Sequence, residues 1–278
     1  MSDKYLIPWD KTNVGPRIGI AYQAFTKTVF RASFGLFYGG EENQGGSPNR
    51  GLSVPFNQVM DLNLESAFQM GHPFLNRFSD GWPTNTFNLP ANISFRGVDE
   101  NFRTPLVQKW NFTIQQDLGG NSAIEVSYIG SKGSRQLINW DPNTPMNSPT
   151  PNADIHSRRL YPWLRGGISL TSTFGISNYH GLATKFEKRY SSGLTLTSSY
   201  TWGHTMANTG TTLSGSSGFG MYDITCGFAC EYSNAAWDVR HRWVTSFNYD
   251  LPFGRGKQLG TDISRVADLF VGGWQTNG

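Results

Sequence analysis

The stretch "LTLTSSYTWGHT", residues 194–205, carries two messages on alternate positions. Leu194, Leu196, Ser198, Tyr200, Trp202 and His204 form one set; Thr195, Thr197, Ser199, Thr201, Gly203 and Thr205 form the other. A period of two belongs to a β-strand whose faces meet different surroundings. In a soluble sheet the aromatic face would meet a core. In a membrane barrel it would meet lipid, with the Thr/Ser face lining a wet lumen.

Working outward, the same unit recurs. Upstream, "YHGLATKFEKRYSSG" sets Leu182, Thr184, Phe186 and Tyr190 against Ala183, Lys185, Glu187 and Arg189, and its SSG turn leads into the quoted strand. "KWNFTIQQDL" places Trp110, Phe112 and Ile114 on one face; after GGN, "SAIEVSYIG" sets Ile124, Val126 and Tyr128 against Glu125 and Ser127. "RIGIAYQAF" and "TVFRASFGLFY", joined by Thr-Lys, put Phe30, Phe34 and Tyr38 opposite Arg31 and Ser33. A fourth unit starts at "DVRHRWVTSFNYDLPFG" and returns near "VGGWQTNG". Between the hairpins run Gly/Pro/Asn-rich stretches at about 40–103, 140–177 and 207–237, read as loops. Short turns alternating with long loops mark an outer-membrane barrel rather than a sandwich or propeller.

Composition agrees. The 278 residues are 14% aromatic and only 15% charged, with 32 Gly and 14 Pro, which favours strands and turns over helices. Mean hydropathy is −0.41, as expected where only alternate residues are apolar. No run approaches the roughly 18 apolar residues of a membrane helix. A net charge of +3 without a basic stripe argues against nucleic acid as a partner. Gly193 to Trp202 rises about 30 Å at roughly 3.3 Å per residue. Tilted by about 40°, it crosses roughly 23 Å, close to the ~25 Å apolar band of such barrels. Tyr190 then falls at the lower aromatic girdle and Trp202 at the upper.

Other residues point to little chemistry. Cys226 and Cys230 are spaced for a local disulfide; free thiols come next, and a metal site lacks a second pair and a nearby His. His180, His204 and His241 are expected at different heights, as girdle or loop residues. "GSSGFG" (215–220) is no phosphate loop. No nucleophile–base or paired-carboxylate constellation can be assembled, so no enzyme, cofactor or metal is expected. Lys185, Glu187 and Arg189 read as charges of a wet lumen. The N-terminus has no apolar h-region of a signal peptide.

"GPRIGIAY…KTVFRASFGLFY", "QKWNFTIQQDLGGNSAIEVSYIGSKG", "YHGLATKFEKRYSSGLTLTSSYTWGHT", "DVRHRWVTSFNYDLPFGRGK" and "GGWQ", in this order, resemble the C-terminal part of the β-barrel of TonB-dependent transporters of the Oar-like, acidobacterial group. The resemblance covers most of the chain outside the long loops. It implies a Gram-negative outer-membrane barrel of about 22 strands. It also implies a plug in the full-length protein, energised by the TonB complex, and uptake of a bulky extracellular ligand. Plug, TonB box and terminal aromatic strand are missing from the pattern, so the chain reads as about 7–8 strands of a larger antiparallel barrel. Phe30, Phe34, Tyr128, Phe186, Tyr200, Trp202, Trp243 and Phe247 are expected to face outer-membrane lipid. Arg31, Glu125, Lys185 and Glu187, with Thr197 and Asn248, are expected to face the lumen. Two other readings stay open: a small self-closed barrel with an adhesin or structural role, which needs its first and last strands to pair, and a soluble all-β carbohydrate-binding module, which needs its aromatic faces buried.

Overall fold

A computed structural model describes residues 10–39, 94–150, 154–191, 193–208 and 226–278. Most of the stretches read as loops at 40–103 and 207–237, and all of "GSSGFG", lie outside them. The described strands are β1 (Arg17–Phe25), β2 (Thr28–Tyr38), β3 (Phe95–Val98), β4 (Leu106–Gly119) and β5 (Ser122–Trp140), then β6 (Ile168–Ser191), β7 (Leu194–Ala207), β8 (Ser233–Asn234), β9 (His241–Asp250) and β10 (Gln275–Asn277).

All ten belong to one sheet, ordered β1-β2-β4-β5-β6-β7-β9-β10, with β3 added parallel to β6 and β8 antiparallel to β7. Every neighbouring pair along the main path is antiparallel. Among the described residues β1 and β10 are edges and no ladder joins them. The sheet is therefore open, and the described strands do not form a small self-closed barrel. Nor, among the described residues, does a second sheet cover either face.

Local chemistry explains the tight turns. Gly120 and Asn121 have φ of 58° and 59°, the paired left-handed residues of a twist-matched two-residue hairpin turn. Gly193, immediately before β7, has φ 82°, a left-handed conformation that glycine adopts without strain.

Two departures from the sequence reading stand out. β6 begins at Ile168, inside the stretch read as loop at 140–177, because its first residues pair with both β3 and the top of β5. The fourth turn is not short: between β9 and β10 the chain makes α1 (Arg265–Val271), started by Ser264, whose side chain accepts from the Ala267 amide at 3.2 Å.

Fully buried side chains are few and lie at the loop end. Thr171 and Ser172 sit where β6 runs between β3 and β5; Asn143 anchors the 141–167 connection. Asn143 accepts from the Tyr161 amide at 2.8 Å and donates to the carbonyls of Tyr161 and Leu164, both at 3.3 Å. Trp140 donates to Ser172 Oγ at 2.9 Å, and Ser172 in turn donates to Asp99 at 2.9 Å. Among the described residues these polar side chains are buried together with Phe102, Leu106, Ile138, Leu164, Ala207 and Ala235.

Candidate functional site: a two-faced wall

Directly opposed residues of an antiparallel pair share a face. One cross-strand row therefore runs Tyr22–Phe30–Ile114–Val126–Thr184–Tyr200–Trp243, and the next Ile20–Ala32–Phe112–Tyr128–Leu182–Trp202–His241. Phe34, Phe186 and Phe247 fall on the same face by parity. Interleaved rows on the opposite face run Gln23–Val29–Gln115–Glu125–Lys185–Ser199–Val244 and Ala21–Arg31–Thr113–Ser127–Ala183–Thr201–Arg242. Glu187 pairs with Thr197, and Asn248 with Thr195, on this second face. The register thus gathers the eight singled-out aromatics on one side and Arg31, Glu125, Lys185 and Glu187 on the other.

The aromatic side is uncovered: Trp243 is 75% exposed, Ile20 66% and Trp202 43%. Its rings are ordered against one another by a recurring diagonal. Phe30 stacks on Phe112, Tyr128 on His180, and Tyr200 on His241, with centroids 6.1, 6.2 and 6.2 Å apart. Each stack joins two strands connected through a long loop, and in each the ring on the descending strand lies one row nearer the loops. In two of them the tyrosine hydroxyl also meets His Nδ1 at 2.8 Å.

The polar side is hydrogen-bonded to itself. Lys185 and Glu187 form an ion pair, and Thr113 and Ser127 share a 2.8 Å hydroxyl contact. Towards the loops Phe37 carries two cations, with Arg17 Cζ 4.7 Å and Lys109 Nζ 5.6 Å from its ring centre. Tyr179 lies over Gly181 and Gly203, which are paired with each other and buried.

His180 and His204 do not sit at different heights; they are directly paired. Each nevertheless has its own partner, Tyr128 for His180 and Asp238 for His204, at 3.3 Å. No group of three or more metal-ligating side chains occurs among the described residues. Asp238 ties the chain between β8 and β9 to β7, accepting from the Thr205 amide and from Arg240 Nε, each at 2.6 Å. The Thr205 N–H first, then Arg240 and His204, hold its carboxyl below the usual carboxylate range. Cys226 and Cys230 are disulfide-bonded, Cα atoms 6.0 Å apart. Between them Phe228 packs on Trp140 and Phe174, each at 5.4 Å.

A single open sheet, aromatic on one face and charged on the other, with its long interstrand connections at one end, is the wall of a membrane β-barrel. The chain belongs to the outer membrane beta barrel domain family, whose model matches residues 1–278. Its place is the outer membrane. Among curated protein sequences nothing matches it. Among solved structures it is similar to the outer membrane transporter YddB from Escherichia coli, at 10% identity and a TM-score of 0.45, covering 80% of this chain and 24% of that one. The FrpB iron transporter from Neisseria meningitidis (F5-1 variant) aligns at 13% identity and TM-score 0.42, over 85% and 25% of the two chains. The siderophore receptor PirA from Pseudomonas aeruginosa aligns at 10% and 0.38, over 85% and 36%. The chain thus spans between a quarter and about a third of these proteins.

Proposed function

We propose that this chain is a section of the barrel wall of a TonB-dependent outer-membrane receptor of the Oar-like acidobacterial type, serving uptake of a bulky extracellular ligand. The observation that carries the reading is the register-locked division of the sheet into an uncovered aromatic face and a charged face. On this reading Phe30, Phe34, Tyr128, Phe186, Tyr200, Trp202, Trp243 and Phe247 face lipid. Arg31, Glu125, Lys185 and Glu187 face the lumen, where the full-length protein holds its plug. Lipid demands that every backbone polar group be paired, so the free edges of β1 and β10 are completed by further strands. The five sequence segments quoted above support the assignment to the receptor group. In vivo cross-linking of the full-length receptor in energised cells tests it: a covalent adduct with TonB is expected. A surface-displayed, heat-modifiable receptor that yields no adduct would overturn the reading.

A further inference from the structure

α1 is amphipathic the wrong way round for a helix in water. Its one carboxylate, Asp268, points into the β9–β10 turn, where Oδ1 accepts the Arg255 amide at 2.7 Å. Gly254 and Gly272 leave room for that carboxylate, since a Cβ on Gly254 would lie 3.0 Å from Oδ1. At 100° per residue Val266, Leu269 and Phe270 occupy the opposite side of the helix. They are 67%, 82% and 75% exposed. A helix that tucks in its carboxylate and presents Leu and Phe outward faces something other than water.

The position of α1 says what. Trp274 pairs its carbonyl with the Leu251 amide at 2.9 Å, one step beyond the Tyr249–Thr276 pair, on the same face as Trp243 and Phe247. Its indole donates to the Phe270 carbonyl at 2.8 Å, tying the end of the helix to that face. The apolar side of α1 is therefore continuous with the aromatic band at the turn end of the wall, where a barrel meets the membrane interface. Arg255 and Lys257 precede the helix in sequence and Arg265 is its first residue, against Asp262 and the internally engaged Asp268. Cations beside an apolar helix face fit phospholipid headgroups over acyl chains.

We propose that α1 is an interfacial foot: it lies in the turn-side leaflet of the outer membrane, with Val266, Leu269 and Phe270 inserted among acyl chains. The proposal rests on membrane placement and is independent of TonB or ligand uptake.

Spin labels placed by Leu269→Cys and, separately, Val266→Cys test it in the full-length protein reconstituted into phosphatidylethanolamine–phosphatidylglycerol vesicles. Gln258→Cys serves as an aqueous reference and Phe247→Cys as a lipid reference. The native cysteines, held as a disulfide, take no label. Collision rates with dissolved oxygen, which concentrates in acyl chains, and with a water-soluble nickel chelate are compared. Both helix labels should be rich in oxygen collisions and several-fold poorer in nickel collisions than the reference at residue 258. High nickel access would place the helix in water and overturn the proposal. Low access to both relaxers would show it packed on protein, a plug or another subunit, and would overturn it equally.

Discussion

Replacing Gly203 by Ala should destabilise this wall only because Tyr179 lies on it. Tyr179 covers Gly181 on its own strand and Gly203 on the next. A Cβ on Gly203 would lie 2.9 Å from the Tyr179 hydroxyl and 3.0 Å from its ring, where 3.4–4 Å is ordinary contact. The phenol must lift off. An aromatic side chain buries about 150–250 Å² in full, and lifting the ring off its glycine bed is taken to expose about a third to a half of that, roughly 80 Å². At ~25 cal/mol per Å² its loss costs about 2 kcal/mol. Alanine recovers about 0.5–1 kcal/mol over glycine in a strand, leaving a net loss of about 1–1.5 kcal/mol. In a Tyr179→Ala background nothing remains to displace. There Gly203→Ala should stabilise, by about 0.5–1 kcal/mol, for a coupling near 2 kcal/mol. Guanidinium unfolding in lipid vesicles, followed by tryptophan fluorescence, measures all four proteins of the cycle. An equal loss in both backgrounds would refute the reasoning.

The remaining expectations concern the loop root and the ring stacks. Asn143→Ala strands the Tyr161 amide, costing about 1–3 kcal/mol locally, whereas the Leu164 carbonyl keeps Arg159 as a donor; limited proteolysis should cut the 141–167 connection sooner while the strands stay intact. Asp238 has a lowered carboxyl pKa, so its contribution is present above the ordinary carboxylate range of about 4 and is lost as pH falls through the depressed value. Hydrogen exchange at Thr205, corrected for intrinsic rate, should therefore accelerate in acid, and Asp238→Asn should remove that pH dependence and raise exchange about tenfold at neutrality. Tyr200→Phe keeps the stack on His241 and loses its hydrogen bond, costing about 0.5–1.5 kcal/mol, whereas Tyr200→Ala should lose the stack as well; unfolding midpoints separate the two.

The parts of this fold legible in the sequence are those set by neighbours along the chain. β7 announces itself because Leu196, Tyr200 and Trp202 alternate with Thr197, Ser199 and Thr201, and the GGN and SSG turns pin the register of the hairpins they close. The start of β6 is less legible: "ISLTSTFGIS" does alternate Ile168, Leu170, Phe174 and Ile176 with Ser169, Thr171, Thr173 and Ser177, but it follows Gly166 and Gly167 and is held in part by β3, a partner more than 60 residues away. The ring diagonals needed the register between strands joined by long connections, which no local pattern encodes, whereas the pairing of His180 with His204 follows from the register of the hairpin closed by the SSG turn. α1 is different. Ser264 as cap and Val266, Leu269 and Phe270 at helical spacing were readable, but the expectation of a short turn there outweighed them.

The central claim is that one face of the sheet meets lipid and the other water, and β7 tests it residue by residue. Single cysteines at 195, 197, 199 and 201, and at 196, 198, 200 and 202, in outer-membrane vesicles carrying the full-length protein, should react with a charged, membrane-impermeant thiol reagent with a period of two. The account predicts modification at Thr195, Thr197, Ser199 and Thr201 and protection at Leu196, Ser198, Tyr200 and Trp202. Equal modification of both sets, or protection of the Thr/Ser set with reaction of the aromatic set, would contradict it.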